Sequence, residues 1–114
     1  MKIKVLVVEP LKAPYEKEID IGLKSMQALV GGYIQAIYPF EDNTALICNE
    51  EGKITGLPLN RAITDQDGKI YDIVAGTFFL CSAPADSDEF ASLSEEKIQK
   101  YKERFKNIEL YIPK

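Results

Sequence analysis

Arg61 is the residue whose chemistry asks for an explanation. It follows Asn60 inside GLPLNRAI, a stretch otherwise made of Gly, Leu, Pro, Ala and Ile, and only Arg61 and Arg104 among the chain's 14 basic residues are arginine. A guanidinium is planar, permanently charged and carries five N–H donors in a rigid fork, so in apolar company it needs a dedicated set of acceptors. Two chemistries suit it. One is an internal ion pair, with Asp72, Asp65 and Asp20 as acceptors in that order of preference; the other is recognition of an anionic ligand. Gly56 and Pro58 force an extended, turn-like path ahead of Asn60. An Asn leaving such a bend is expected to bind nearby backbone as an Asx turn does. Asn60, Arg61, Tyr33 and Tyr38 form the candidate binding group.

The rest of the inventory narrows the chemistry. The chain has no histidine, so a Cys–His pair, a Ser–His–Asp triad and a zinc site of the usual composition are excluded. Cys48 in ALICNE and Cys81 in FFLCSA sit in hydrophobic, strand-like runs and read as buried thiols. Asp65, Asp67 and Gly68 resemble half a calcium loop, but the later oxygen ligands and the closing Glu are missing, which leaves a turn. Gly31 and Gly32 follow a helix rather than precede one, the wrong pole for a phosphate cradle. No metal or cofactor is implied. Acid–base chemistry by carboxylate, Tyr or Arg stays open as an alternative, since 18 acids are present, yet their spacing singles out none.

With 114 residues, 46% hydrophobic and 28% charged, the chain matches one soluble globular domain spanning residues 1–114. A net charge of −4 supplies no basic stripe for phosphates, so nucleic acid is not an expected partner. MKIKVLVVE alternates where a leader would run apolar, and no stretch is long enough to span a bilayer, so the expectation is a cytoplasmic protein without membrane contact.

Periodicity supplies the elements. KIKVLVV at 2–8 reads as a strand with at least one buried face, and YEKEID at 15–20 alternates as a half-exposed edge strand. DIGLKSMQALVGG shifts to helical period, with Leu23, Met26, Leu29 and Val30 on one face, Asp20 as N-cap and Gly31 as C-cap. YIQAIYPF at 33–40 and TALICN at 44–49 read as strands, with NEEGK as a tight hairpin turn in which Gly52 takes positive φ. Asp67-Gly68 is the strongest turn signal, and Gly76 marks a bend before FFLC. Ser92 and Glu95 form a capping box for a helix to about Lys106 that turns Ile98, Tyr101 and Phe105 inward; IELYIP at the end reads as a short strand. The sum is an α+β domain: a mostly antiparallel or mixed sheet of about five or six strands, one early helix and a C-terminal helical segment.

VGGYIQAIYPFEDNTALICNEEGKITGLPLNRAI, with DIVAGTFFLC and FASLSEEKIQKY downstream, resembles domain-of-unknown-function family 3846 of Gram-positive bacteria, their phages and their mobile elements. The resemblance implies a small α+β domain that occurs alone or within larger mobile-element proteins. It places Gly32, Tyr33, Asn49, Gly52, Gly56, Leu57, Pro58, Asn60, Arg61, Ala62 and Gly76 on family motifs, and carries no catalytic residues over. The expected function is a non-enzymatic binding or interaction module, a mobile-element or phage accessory protein whose partner is a protein or a small anionic ligand. An enzyme of unfamiliar type or a nucleic-acid-linked regulator is the alternative. A monomer or weak homodimer is expected, the dimer joined through an edge at 15–20 or 108–112.

Overall fold

The structure, a computed structural model, describes residues 1–65 and 67–111. Its elements are β1 (Lys2–Val8), β2 (Tyr15–Asp20), α1 (Leu23–Val30), β3 (Ile34–Ile37), β4 (Thr44–Asn49), β5 (Leu59–Thr64), β6 (Ile70–Ala75), β7 (Phe78–Ser82) and α2 (Glu95–Phe105). Five strands form one antiparallel sheet in the order β2-β1-β7-β4-β3, and β5 pairs with β6 in a separate two-stranded sheet. The α+β class holds. The main sheet has the expected five strands, and β5 and β6 add a separate two-stranded sheet among the described residues.

Alternation along the central strands builds two cores. Ile3, Val5 and Val7 of β1 lie with Ala45, Ile47, Phe79 and Cys81 beneath Met26 and Val30 of α1. On the opposite face Leu6, Val8, Leu46, Phe78 and Leu80 meet Ile63 and Val74 of the hairpin and Ile98, Tyr101 and Phe105 of α2. Strands covered on both faces read as continuous apolar runs, which is why VLVV, ALIC and FFLC lose their alternation. β2 is an edge, as its pattern indicates, and buries only Ile19.

Several local expectations need correction. Asp20 ends β2 opposite Lys2 and caps nothing; α1 begins after Gly22, at φ 152° and without a side-chain cap. Gly31 does close the helix in the left-handed region, its amide donating to Gln27 O at 2.8 Å. Ser92 is not the N-cap of α2. Its Oγ accepts from Lys4 N at 2.9 Å while Leu93 N donates to Lys4 O at 2.9 Å, so residues 92–93 extend along β1, past the β7 register, which pairs only Leu6 to Val8. Ser94 caps the helix instead, accepting from Lys97 N at 3.3 Å. NEEGK opens a series of turns over residues 51–56, not a tight hairpin, and Gly52 is not among the glycines of positive φ. Residues 108–111 form no strand, and Ile112 lies outside the described residues.

The turn between β3 and β4 is tied to α2 through Asp42. Its Oδ2 accepts from Tyr101 Oη at 2.7 Å and from Lys100 Nζ at 3.3 Å, and the Lys97 ammonium donates to its carbonyl. Desolvation pushes the Asp42 carboxyl up, but the hydrogen bonds from Tyr101 and Lys100 and the charge of Lys97 outweigh it and hold the carboxyl below its usual 3.8. A carboxyl with a lowered folded pKa stabilises the fold above its unfolded value and loses that contribution as pH falls through the folded one. Urea melts of Asp42→Asn should therefore show a lower midpoint than the wild type at neutral pH and a converging one as the pH falls through the carboxyl's lowered folded value. A gap that persists unchanged in acid would contradict this role.

Candidate functional site

The segment from β4 to β5 is shaped by close approaches. A Cβ on Gly52 would lie 2.8 Å from Ala75 O, so only glycine lets this turn pass beneath the end of β6. Gly76 sits at φ 81° and a Cβ there would lie 2.7 Å from Leu57 Cδ1. Gly76 N donates to Pro58 O at 2.7 Å and Leu57 N to Gly52 O at 2.9 Å, which locks GLPL against the β6–β7 bend. Gly56, at φ 78°, supplies the left-handed step before Pro58 fixes the entry to β5. Gly32 meets Asn49: a Cβ would lie 2.8 Å from Nδ2, the atom that donates to Val30 O at 3.2 Å.

That path delivers Asn60 and Arg61 into the interior, both 0% exposed. Asn60 Nδ2 donates to Val8 O and to Gly76 O, each at 2.9 Å, and its Oδ1 accepts from Arg61 Nη1 at 2.7 Å. It binds backbone, as expected, but backbone distant in sequence rather than its own turn. Arg61 Nε and Nη2 donate to Phe105 O at 3.3 and 3.1 Å, Nη2 to Lys12 O at 2.8 Å, and Nη1 also to Asn60 O at 3.4 Å. Phe105 ends α2, so the guanidinium takes a helix carbonyl left without an intrahelical partner and meets the negative pole of the helix.

The expected carboxylate pairing is thus corrected. Asp72 pairs with Lys53, Asp65 accepts from the amides of Asp67 and Lys69 in its own turn, and Asp20 is an exposed residue of β2. The hairpin register sets Arg61 opposite Val74 and Asp72 opposite Ile63, two residues along, and the Arg61 donors go to the carbonyls of Phe105, Lys12 and Asn60 and to the Asn60 side chain instead. Burial lowers the Arg61 pKa, and the charge of Glu109 works against that shift. Glu109 Oε1 itself accepts from Ala62 N at 3.0 Å and from Tyr111 Oη at 2.5 Å, and Tyr111 is pushed up to about 12, chiefly by desolvation and then by Glu109.

Tyr33 and Tyr38 do not join this cluster. They bracket β3, the outer strand at the end of the sheet opposite β2, and are 67% and 57% exposed. Glu50 N donates to Tyr33 O at 2.8 Å, which makes Tyr33–Glu50 a hydrogen-bonded pair. Alternation then gives Gln35 and Ile37 inward main-chain bonds to β4 and turns the N–H and C=O of Ile34 and Ala36 outward from the edge. Two recesses flank this edge. On the α1 side, Ile21, Leu23, Met26, Ile34 and Phe90, with Asp88 and Glu89, enclose about 360 Å³. On the hairpin side, Gln35, Cys48, Asn49, Glu50, Lys53 and Asp72 line about 230 Å³. A larger hollow of about 450 Å³ beside β2 gathers Lys2, Lys17, Glu18 and Asp20, charges of both signs that select no ligand class.

Neither cysteine supplies a nucleophile. Burial pushes Cys48 up to about 11 and Cys81 up to about 12, so both are protonated at neutral pH. Among the described residues no three metal-ligating side chains gather, and no helix is long and apolar enough to cross a membrane. The edge at β3 escaped the sequence reading, although a signal existed: residues 25–40 carry no charged side chain in a chain that is 28% charged.

Fold and motifs agree with the family assignment. The chain belongs to the family described as Domain of unknown function (DUF3846), whose model matches residues 1–106. No curated protein and no solved structure matches it.

The Asn60–Arg61 cluster makes a direct prediction. Arg61→Ala should lower stability by about 2 to 4 kcal/mol, because it strands buried carbonyls that the guanidinium satisfies, and Arg61→Lys should restore only part of that. Asn60→Asp should be comparably damaging, since it aims a carboxylate at the carbonyls of Val8 and Gly76. Urea unfolding measures all three; an unchanged midpoint in Arg61→Ala would contradict the structural role.

Proposed function

We propose that this protein is a non-enzymatic interaction module that takes an extended segment of a partner protein as an additional strand on β3. The observation that carries this is the contrast between the two edges of the sheet. β2 is guarded by Glu16, Lys17, Glu18 and Asp20, the charged dress that keeps edges from pairing. β3 reads IQAI within an uncharged run over residues 25–40, turns unpaired main-chain groups outward, and is bracketed by two exposed tyrosines. Strand addition draws affinity from such main-chain groups, and aromatic residues are enriched at protein interfaces.

A small anionic ligand at Arg61 is the weaker reading, because every N–H of that fork already faces an internal acceptor. The acidic balance favours a protein over a nucleic acid. The resemblance to mobile-element proteins sets the biological context we propose, a cytoplasmic accessory protein, monomeric or weakly dimeric until its partner binds.

Ala36→Pro tests the edge directly. It deletes an outward amide without touching the bonds to β4, a position where a strand accepts proline. A photo-crosslinking amino acid placed at Tyr33 or Tyr38 in host cells should capture a discrete partner, the same group at Tyr15 should not, and Ala36→Pro should abolish capture while leaving the circular dichroism unchanged. Capture at Tyr33 that is indifferent to Ala36→Pro would overturn the proposal.

A further inference from the structure

The two recesses beside β3 lie on opposite faces of the sheet, and each is lined by a residue of the strand itself, Ile34 on one side and Gln35 on the other. Residues directly opposite each other in paired strands share a face. A strand added to β3 therefore places the side chain across from Ile34 into the groove of Ile21, Leu23, Met26 and Phe90, and its neighbour across from Gln35 into the cleft on the hairpin side. From this we infer, resting on the strand-accepting reading above, that the partner segment alternates apolar and basic residues.

The apolar half follows from the groove's walls. Leu23 is 57% exposed at the mouth while Met26 is buried at 4%, the profile of a slot that a Leu, Ile or Val side chain fills. The basic half follows from charge. In the cleft across from Gln35, Lys53 is neutralised by Asp72, which leaves Glu50 as the excess charge. The cleft thus offers a carboxylate to the Lys or Arg side chains that the alternation turns to the hairpin face. A second copy of this chain is a poor occupant, since its own β3 segment carries no basic residue and each copy adds a net charge of −4.

The test uses the full chain, ¹⁵N-labelled, and three peptides: acetyl-Lys-Val-Lys-Leu-Lys-Val-Lys-amide, the same with Glu for every Lys, and the same with Ser for Leu and Val. The Lys/Leu peptide should shift the amides of Ile34 and Ala36 and bind at least about tenfold tighter than either control, the Glu peptide being opposed by like charge. Glu50→Lys should narrow or invert the preference between the Lys and Glu peptides, and Ala36→Pro should remove binding. Equal affinity for the Lys and Glu peptides, shifts that map away from β3, or self-association that Ala36→Pro dissolves would each overturn the inference. If cross-linking at Tyr33 still depends on Ala36 while the Lys peptide gains nothing, the strand-accepting reading stands and the alternation falls; if cross-linking ignores Ala36→Pro, the reading itself falls.

Discussion

The contact on which the rest of this fold depends is the guanidinium of Arg61 against the last carbonyl of α2. A buried cation without a bonded counter-ion is costly unless its donors are satisfied and its charge is met by something fixed. Here the carbonyls of Phe105, Lys12 and Asn60 and the Asn60 side chain supply the acceptors, the helix pole supplies the field, and Glu109 adds a carboxylate nearby. The same fork reaches the turn after β1, where Leu11 holds φ 64°, a conformation that costs a non-glycine residue about 1 to 2 kcal/mol and persists only where its surroundings fix it. One side chain thus joins the hairpin, the helix terminus and the exit of β1.

Most of the motif around it is architecture. Gly52 and Gly76 admit the approaches of Ala75 and Leu57, Pro58 offers the carbonyl that Gly76 binds, and Asn60 bridges Val8 and Gly76 while it orients Arg61. Their joint effect is to fold β5 and β6 onto one face of the sheet, over Leu6, Val8 and Phe78, instead of letting β5 add to the edge at β3. The outer side of β3 is left open as a direct consequence. A motif that builds the interior and an open sheet edge are in this way two ends of one arrangement.

Whatever depends on local period was legible in the residues. The strands VLVV, ALIC and FFLC, the inward face of Ile98, Tyr101 and Phe105, the Gly31 cap and the Asp67-Gly68 turn all follow from spacing alone. What failed was decided at long range. Ser92 is a reasonable cap by sequence until Lys4 claims it, and Asp72 is a reasonable partner for Arg61 until Lys53 takes it and the end of α2 takes the guanidinium. The helix carbonyl that Arg61 binds carries no sequence signature, because any residue at the end of α2 offers the same group. Of the candidate site, the burial of Asn60 and Arg61 and the exposure of Tyr33 and Tyr38 are different facts, and spacing could not separate them.

The central claim, that Arg61 makes the hairpin part of one cooperative unit with the main sheet, is tested most directly by native-state hydrogen exchange. The buried amides of Ile63 and Val74 in the hairpin should open with the same free energy as those of Val7 and Phe79 in the sheet, and in Arg61→Lys the hairpin amides should fall below the sheet amides. Hairpin amides that already exchange through a separate, lower-energy opening in the wild type, unchanged in Arg61→Lys, would contradict it.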